Sequence, residues 1–405
     1  MPESLDSRTA WSRLAVSLAI ATIGNVGNWS IILIMPAVQA EFGIGRAEAA
    51  LPYTLTMLGF ALGNLLIGRA VDRYGISVAL TGAALGSGLG FWLAALSGSV
   101  TGLALAQFLI GLGAAACFGP LIADISLWFR RRRGFAVAIT ASGNYLSGAI
   151  WPILLAPALA GQGWRMVYLG LAVALVVTMI PLALLLRRRL PGASMSAEAQ
   201  QSPFAPRSVA WSPRALMWLL GLAGLGCCVA MSMPQVHIVA FCVDLGYGPA
   251  VGAEMLALML AGGVVSRVVS GLLADRLGGV ITLLIGASLQ AVALFLYLPF
   301  DGLASLYVVS MVFGLAQGGI VPAYAIVVRE YMPAQEAGAR VGFVIMATIL
   351  GMALGGWLSG WIHDLTGSYR LAFINGIVWN GMNIVILLLI LLRSRRRRPV
   401  PALSM

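Results

Sequence analysis

Apolar stretches long enough to cross a bilayer recur along the chain, separated by short polar interruptions. They fall at residues 13–38, 49–71, 76–97, 99–129, 134–160 and 165–186, then at 214–243, 250–274, 278–299, 303–328, 338–362 and 369–392. A helix needs about 20 apolar residues to cross a hydrocarbon core of roughly 30 Å, so the pattern predicts twelve membrane-spanning helices. The one long polar stretch, Arg187 to Arg214, is rich in Pro, Ser, Ala and Gln and reads as a flexible linker. The expected fold is therefore an all-α integral membrane protein of two pseudo-symmetric six-helix bundles. Residues 1–187 form the first bundle, 188–213 a cytoplasmic linker, and 214–405 the second bundle with a basic cytoplasmic tail.

Composition agrees. Of the 405 residues 60% are hydrophobic and 10% charged, with mean hydropathy +0.94, where soluble domains carry about 25% charged residues. Nucleic-acid binding and water-soluble catalysis are poor readings of such a chain. The 49 glycines allow helices to approach closely. All 25 basic residues are arginine, which excludes Schiff-base chemistry and lysine-dependent phosphate loops. The cysteines Cys117, Cys227, Cys228 and Cys242 read as small packing residues with no metal-ligand spacing to histidine. No cofactor or metal is expected.

The arginines also set topology. With the N-terminus inside, Arg46, Arg165 and Arg370 fall outside and Arg267 within a span, while the remainder collect at cytoplasmic ends. That is a positive-inside distribution, with both termini cytoplasmic. The basic clusters suit topology or anionic lipid better than nucleic acid. Residues 1–12 show no cleavage pattern, so the first span reads as retained.

The halves repeat a motif. Gly68-Arg-Ala-Val-Asp72-Arg73-Tyr-Gly75 follows the second span, and Gly271-Leu-Leu-Ala-Asp275-Arg276-Leu-Gly278 follows the eighth. These turns resemble the signature loop of the major facilitator superfamily, a transporter architecture whose substrate site lies between halves near the bilayer midplane. The first copy departs from the usual pattern, with Ile76 and Ser77 where basic residues commonly follow. Trp128-Phe129-Arg-Arg-Arg-Arg-Gly134, Gly163-Trp164-Arg165 and Val236-His237-Ile-Val-Ala-Phe-Cys-Val-Asp244-Leu-Gly246 resemble the oxalate–formate antiporter and bacterial monocarboxylate porter group. The resemblance implies a bacterial inner-membrane carrier, a small organic anion as its cargo, and an eighth-helix arginine, here Arg267, that binds substrate carboxylate.

Arg267 lies eight residues before Asp275, about 12 Å by helical rise, and so near the midplane. A guanidinium there suits a carboxylate held by two hydrogen bonds; the alternative is a structural partner for an acid such as Asp124. In the oxalate branch a lysine of the eleventh helix shares the dianion, and the matching position here is Thr348. One cation neutralises one charge, so a monoanion is expected. In the animal porters an aspartate and a lysine serve coupling at places held here by Gly263 and Ala37, so proton coupling is not inherited. Polar residues at similar depth complete a candidate substrate site: Asn25, Asn28, Asn144, Tyr145, His237, Gln317, Tyr324 and Thr348. His237 and Asp124 are candidates for proton coupling, though Asp124 also suits a salt-bridged gate. Asp72 and Asp275, with Arg73 and Arg276, suit ion pairs that hold the cytoplasmic side closed. His363, Glu254 and Asp244 read as solvated outer residues.

The functional expectation is a monomeric secondary transporter for a small organic monoanion, a monocarboxylate, moving by alternating access with a proton or a counter-anion. An efflux carrier for amphipathic compounds is the alternative in the same fold. A membrane-embedded enzyme or a non-transporting receptor is the alternative of another class.

Overall fold

The structure, a computed structural model, describes residues 5–129, 131–188, 207–209, 211–332 and 337–396. Arg130, most of the linker and the end of the tail lie outside the described residues, as does the side chain of Asp72.

Twelve spans follow in chain order. Span 1 is Arg8–Phe42, span 2 Arg46–Tyr74, span 3 Ile76–Ala95 and span 4 Val100–Ser126. Arg133–Leu185 is one helical run interrupted at Gly163, whose φ of 77° and ψ of 160° reverse the chain; residues 133–162 are span 5 and 164–185 span 6. Span 7 is Pro213–Asp244, span 8 Pro249–Leu277, span 9 Gly279–Leu296, span 10 Leu303–Tyr331, span 11 Ala337–Thr366 and span 12 Arg370–Arg393. Short strands β1 (Arg207–Val209) and β2 (Ser394–Arg396) pair antiparallel beside span 12. An even number of crossings puts Ser7, Arg188, Ser212 and Ser394 at one end, called here the terminal end. The turns at 43–45 and 245–248 mark the far end.

Helices dominate because backbone groups in lipid must be satisfied within the segment. Where the ladder breaks, side chains take over. Span 1 breaks at Asn25, and the Asn25 Nδ2 donates to the Ala21 carbonyl at 2.7 Å and the Cys117 carbonyl at 3.4 Å. Cys117 ends a three-residue 3-10 turn that breaks span 4. One amide thus serves two broken helices.

The two halves repeat in their packing. A Cβ on Gly111 would meet the Thr56 carbonyl at 2.0 Å, locking span 4 against span 2; one on Gly314 would meet the Met259 carbonyl at 2.0 Å, locking span 10 against span 8. The repeated motif ends in the same backbone: Gly75 has φ 92°, ψ 161° and Gly278 has φ 86°, ψ 165°, a region open essentially to glycine alone. That explains the second glycine of each copy.

Contact between the halves is uneven along their length. Toward the far end, a Cβ on Gly360 would lie 2.8 Å from the Arg46 backbone, one on Gly356 3.0 Å from the Tyr53 ring, and one on Gly148 2.2 Å from Leu260. At mid-depth, Phe60 packs with Ile349, and a Cβ on Gly263 would lie 3.1 Å from the Tyr145 ring. Nearer the terminal end, a Cβ on Gly68, Gly134, Gly271 or Gly342, on the same four spans, would meet nothing within 4 Å. The tight glycine contacts between the halves thus lie toward the far end.

Candidate substrate site

A cavity with about 110 Å³ of room for water-sized centres lies at mid-depth between the halves. Five of the residues expected at the site border it: Asn28, Asn144, Tyr145, Arg267 and Thr348. Arg267 is 8% exposed. Its Nε donates to the Gly318 carbonyl at 3.2 Å, an oxygen at the break in span 10, and one Nη donates to the Ala141 carbonyl of span 5. The guanidinium lies 4.2 Å from the centre of the Tyr145 ring, a cation–π arrangement that holds charge away from water. Among the described residues, ion pairs join Arg13 to Asp124, Arg46 to Asp244, Arg165 to Glu41, and His363 to Asp244 and Asp364. None of these involves Arg267. A cation at this depth is costly unless it meets an anion or water.

Four expected site residues do not border the cavity. Asn25 is spent between helices: besides its two donor bonds, its Oδ1 accepts from Asn28 and Asn144. Tyr324 donates to the Asn383 Oδ1 at 2.7 Å within the second half. Gln317 accepts from Gln235 Nε2 at 2.5 Å, and it is Gln235 that borders the cavity. His237 lies toward the far end. Its Nε2 is 2.7 Å from the Gly356 carbonyl, so that nitrogen carries the proton, and Nδ1 accepts from the Tyr369 hydroxyl at 3.0 Å. With both ring nitrogens paired, His237 ties span 7 to span 11 and to the start of span 12. Gln235, two residues earlier, is about 200° around the helix, which is why it faces the cavity and His237 does not.

Asp124 forms a two-pronged pair with Arg13, Nε to Oδ2 and Nη2 to Oδ1 both at 2.9 Å. Arg13 also donates to the carbonyls of Leu186 and Arg188 and lies 4.5 Å over the Trp128 ring. Spans 1, 4 and 6 are thereby clamped within the first half, and Asp124 is not beside Arg267. Asp275 is exposed, with no ion pair among the described residues; the acid at the following helix start is Glu330, whose Oε1 accepts from the Gly279 N–H at 3.0 Å. The outer residues taken as solvated are engaged. Asp244 pairs with Arg46, His363 Nε2 lies 3.3 Å from Asp244, and Glu254 accepts from the Tyr307 hydroxyl.

The rest of the cavity wall was not anticipated. It is apolar and aromatic, with Trp29, Tyr53, Met57, Phe60 and Phe118 from the first half and Met231, Ile345, Ile349 and Met352 from the second. Nothing but depth and the period of 3.6 could have marked these residues within uniformly apolar spans.

Two halves packed face to face around Arg267, which makes no ion pair among the described residues, each ending its second helix in the same glycine turn, describe an architecture found elsewhere. The sequence profile of the Major Facilitator Superfamily matches residues 18–303 and 243–404. The chain belongs to that superfamily. It is 30% identical to Monocarboxylate transporter 13 of Bos taurus over 333 residues, covering 76% of this chain and 75% of that protein. It is 24% identical to the Agnestins efflux protein AgnL12 of Paecilomyces divaricatus, covering 80% of this chain and 74% of that protein. A solved structure of a bacterial homologue of the human lysosomal transporter Spinster, inward-facing and occupied, superposes with a TM-score of 0.75 at 14% identity, covering 97% of this chain and 100% of that one. This superfamily member is thus an integral membrane transporter and not an enzyme.

Proposed function

We propose that this transporter carries a small organic monoanion, a monocarboxylate, by alternating access. The observation that carries the reading is Arg267, a guanidinium bordering the central cavity with no ion pair to an acid among the described residues. A carboxylate entering the cavity supplies the missing charge. With Thr348 at the eleventh-span position and no lysine in the chain, a second negative charge would be left buried and unpaired. The similarity to a monocarboxylate transporter supports the same reading.

Residues 1–187 and 214–405 are the two moving units, joined by the 188–213 linker. The arginine-rich terminal end is assigned to the cytoplasm, and tight contact at the far end, with open space beside Gly68, Gly134, Gly271 and Gly342 toward the terminal end, supports an inward-facing state. Transport is proton symport or anion exchange. A second reading, export of an amphipathic compound, is favoured by the apolar cavity wall and by the efflux protein among the relatives. Uptake of labelled monocarboxylates and of oxalate into proteoliposomes, with and without a pH gradient, tests both. The expected result is monocarboxylate uptake without oxalate uptake, abolished by Arg267→Ala. Full activity of that variant on every transported anion sinks the carboxylate site.

A further inference from the structure

We infer that the substrate is an amphipathic carboxylate whose body is an aromatic ring or similar apolar bulk, and which also bears a hydrogen-bond donor. The inference rests on the reading that Arg267 holds the carboxylate. It adds what the remainder of the cavity selects.

The first observation is the wall. The cavity that Arg267 borders is also lined by Met57, Phe60, Phe118, Met231, Ile349 and Met352. Phe60 and Phe118 meet with ring centroids 5.9 Å apart. A one- to three-carbon acid leaves these faces without contacts, so it loses dispersion and apolar burial that a ring would recover. Three methionines give the wall adaptable shape, suited to a family of ring-bearing acids more than to one rigid outline.

The second observation is the state of the polar groups. One N–H of each amide and the threonine hydroxyl are already engaged within the protein. Asn28 and Asn144 donate to the Asn25 Oδ1 at 3.2 and 2.9 Å, Gln235 donates to Gln317, and the Thr348 hydroxyl donates to the Ile345 carbonyl at 2.6 Å. The orientations of the asparagines are fixed by the network. Asn25 Nδ2 faces two carbonyls, which makes its Oδ1 the acceptor and obliges Asn28 to point its Nδ2 there. Asn28 Oδ1 is left buried without a partner, on a residue 4% exposed that borders the cavity. A buried acceptor without a donor is costly, and a hydroxyl or amino group on the substrate removes that cost.

Three acids separate these elements: lactate, 3-phenylpropionate and 3-phenyllactate. The first and third share a carboxylate and a hydroxyl and differ by a ring; the second and third share the ring and differ by the hydroxyl. Concentration dependence of uptake is measured for each in proteoliposomes, with protein-free vesicles subtracting passive entry of the protonated acids. Phenyllactate is expected to half-saturate at least tenfold below lactate and about tenfold below phenylpropionate, since a pocket built to pair a hydroxyl discriminates strongly against its absence. Asn28→Leu is expected to erase the second difference and keep the first. The wild-type comparison stands without that variant if its loss of the Asn25 bond impairs folding. Lactate saturating as low as phenyllactate, with both dependent on Arg267, overturns the inference and leaves the monocarboxylate reading intact. Equal saturation by phenyllactate and phenylpropionate overturns the donor. Uptake of all three undiminished by Arg267→Ala overturns the reading underneath.

Discussion

Arg46, at the start of span 2, forms an ion pair with Asp244, at the far end of span 7, and so fastens one half of the transporter to the other. Asp364 of span 11 strengthens the same junction, its two oxygens accepting from the backbone N–H groups of Arg46 and Ala47 at 2.7 and 2.8 Å. Those N–H groups open a helix and have no partner within it, and a carboxylate there is favoured by the helix dipole. His363 sits between the two acids.

This junction must part before the far end can open. Asp244→Asn is expected to leave the fold intact and to speed amide hydrogen exchange at Arg46 and Ala47 several-fold. Asp244 is about one-third exposed, so the effect is that of a half-solvated pair, on the order of 1 kcal/mol. Exchange unchanged from wild type would show that the pair contributes nothing to closure.

Asp124 separates two roles by a different readout. Asp124→Asn strands Arg13, which is 5% exposed, without its counter-charge, a loss of about 3–5 kcal/mol for a buried pair. Thermal unfolding in detergent is expected several degrees lower, while the pH profile of the remaining transport keeps its shape. A shifted pH profile with unaltered thermal stability would make Asp124 a proton carrier instead.

Tyr145 supports Arg267 from beneath. Tyr145→Leu removes the ring 4.2 Å from the guanidinium, an interaction of about 0.5–2 kcal/mol. The half-saturating anion concentration is expected to rise roughly threefold to thirtyfold, with smaller change in maximal rate. Tyr145→Phe keeps the ring and should keep most of the affinity. Equal affinity in the leucine variant would remove Tyr145 from the site.

The motif glycines divide into two kinds. Gly75→Ala and Gly278→Ala impose a side chain on backbone at φ 92° and 86°, a strain of about 1–3 kcal/mol each, and should lower yield and unfolding temperature. Gly68→Leu and Gly271→Leu fill space in which nothing lies within 4 Å. Those variants should express and unfold as wild type, yet transport at least tenfold more slowly, because the added bulk obstructs closure of the terminal end. Normal transport in both would mean that the two faces never meet.

The membrane-spanning helices were legible because they follow from one-dimensional quantities: hydropathy and length. Depth was legible too, and it carried Asn28, Asn144, Tyr145, Arg267 and Thr348 to the cavity. What linear pattern withheld was azimuth. His237 and Gln235 lie at nearly one depth, and only three-dimensional packing turns the glutamine inward and ties the histidine to Tyr369 and Gly356. Asn25 shows another limit: its polar atoms answer breaks in spans 1 and 4, and such interruptions are invisible in an apolar run. The junction of Arg46 with Asp244 and Asp364 joins positions about 200 and 318 residues apart, a pairing that no local pattern holds.

The uneven contact between the halves has a mechanical consequence. Ala141 and Arg267 touch at mid-depth, with tight glycine contacts on one side of them and open glycine faces on the other. They stand where a seesaw would have its fulcrum. Points at a fulcrum barely travel while the arms swing widely, so under the proposed function the anion's charge stays seated on one guanidinium while the water around it changes sides. Transport in such a machine is less a journey of the solute than an exchange of the compartments that can see it.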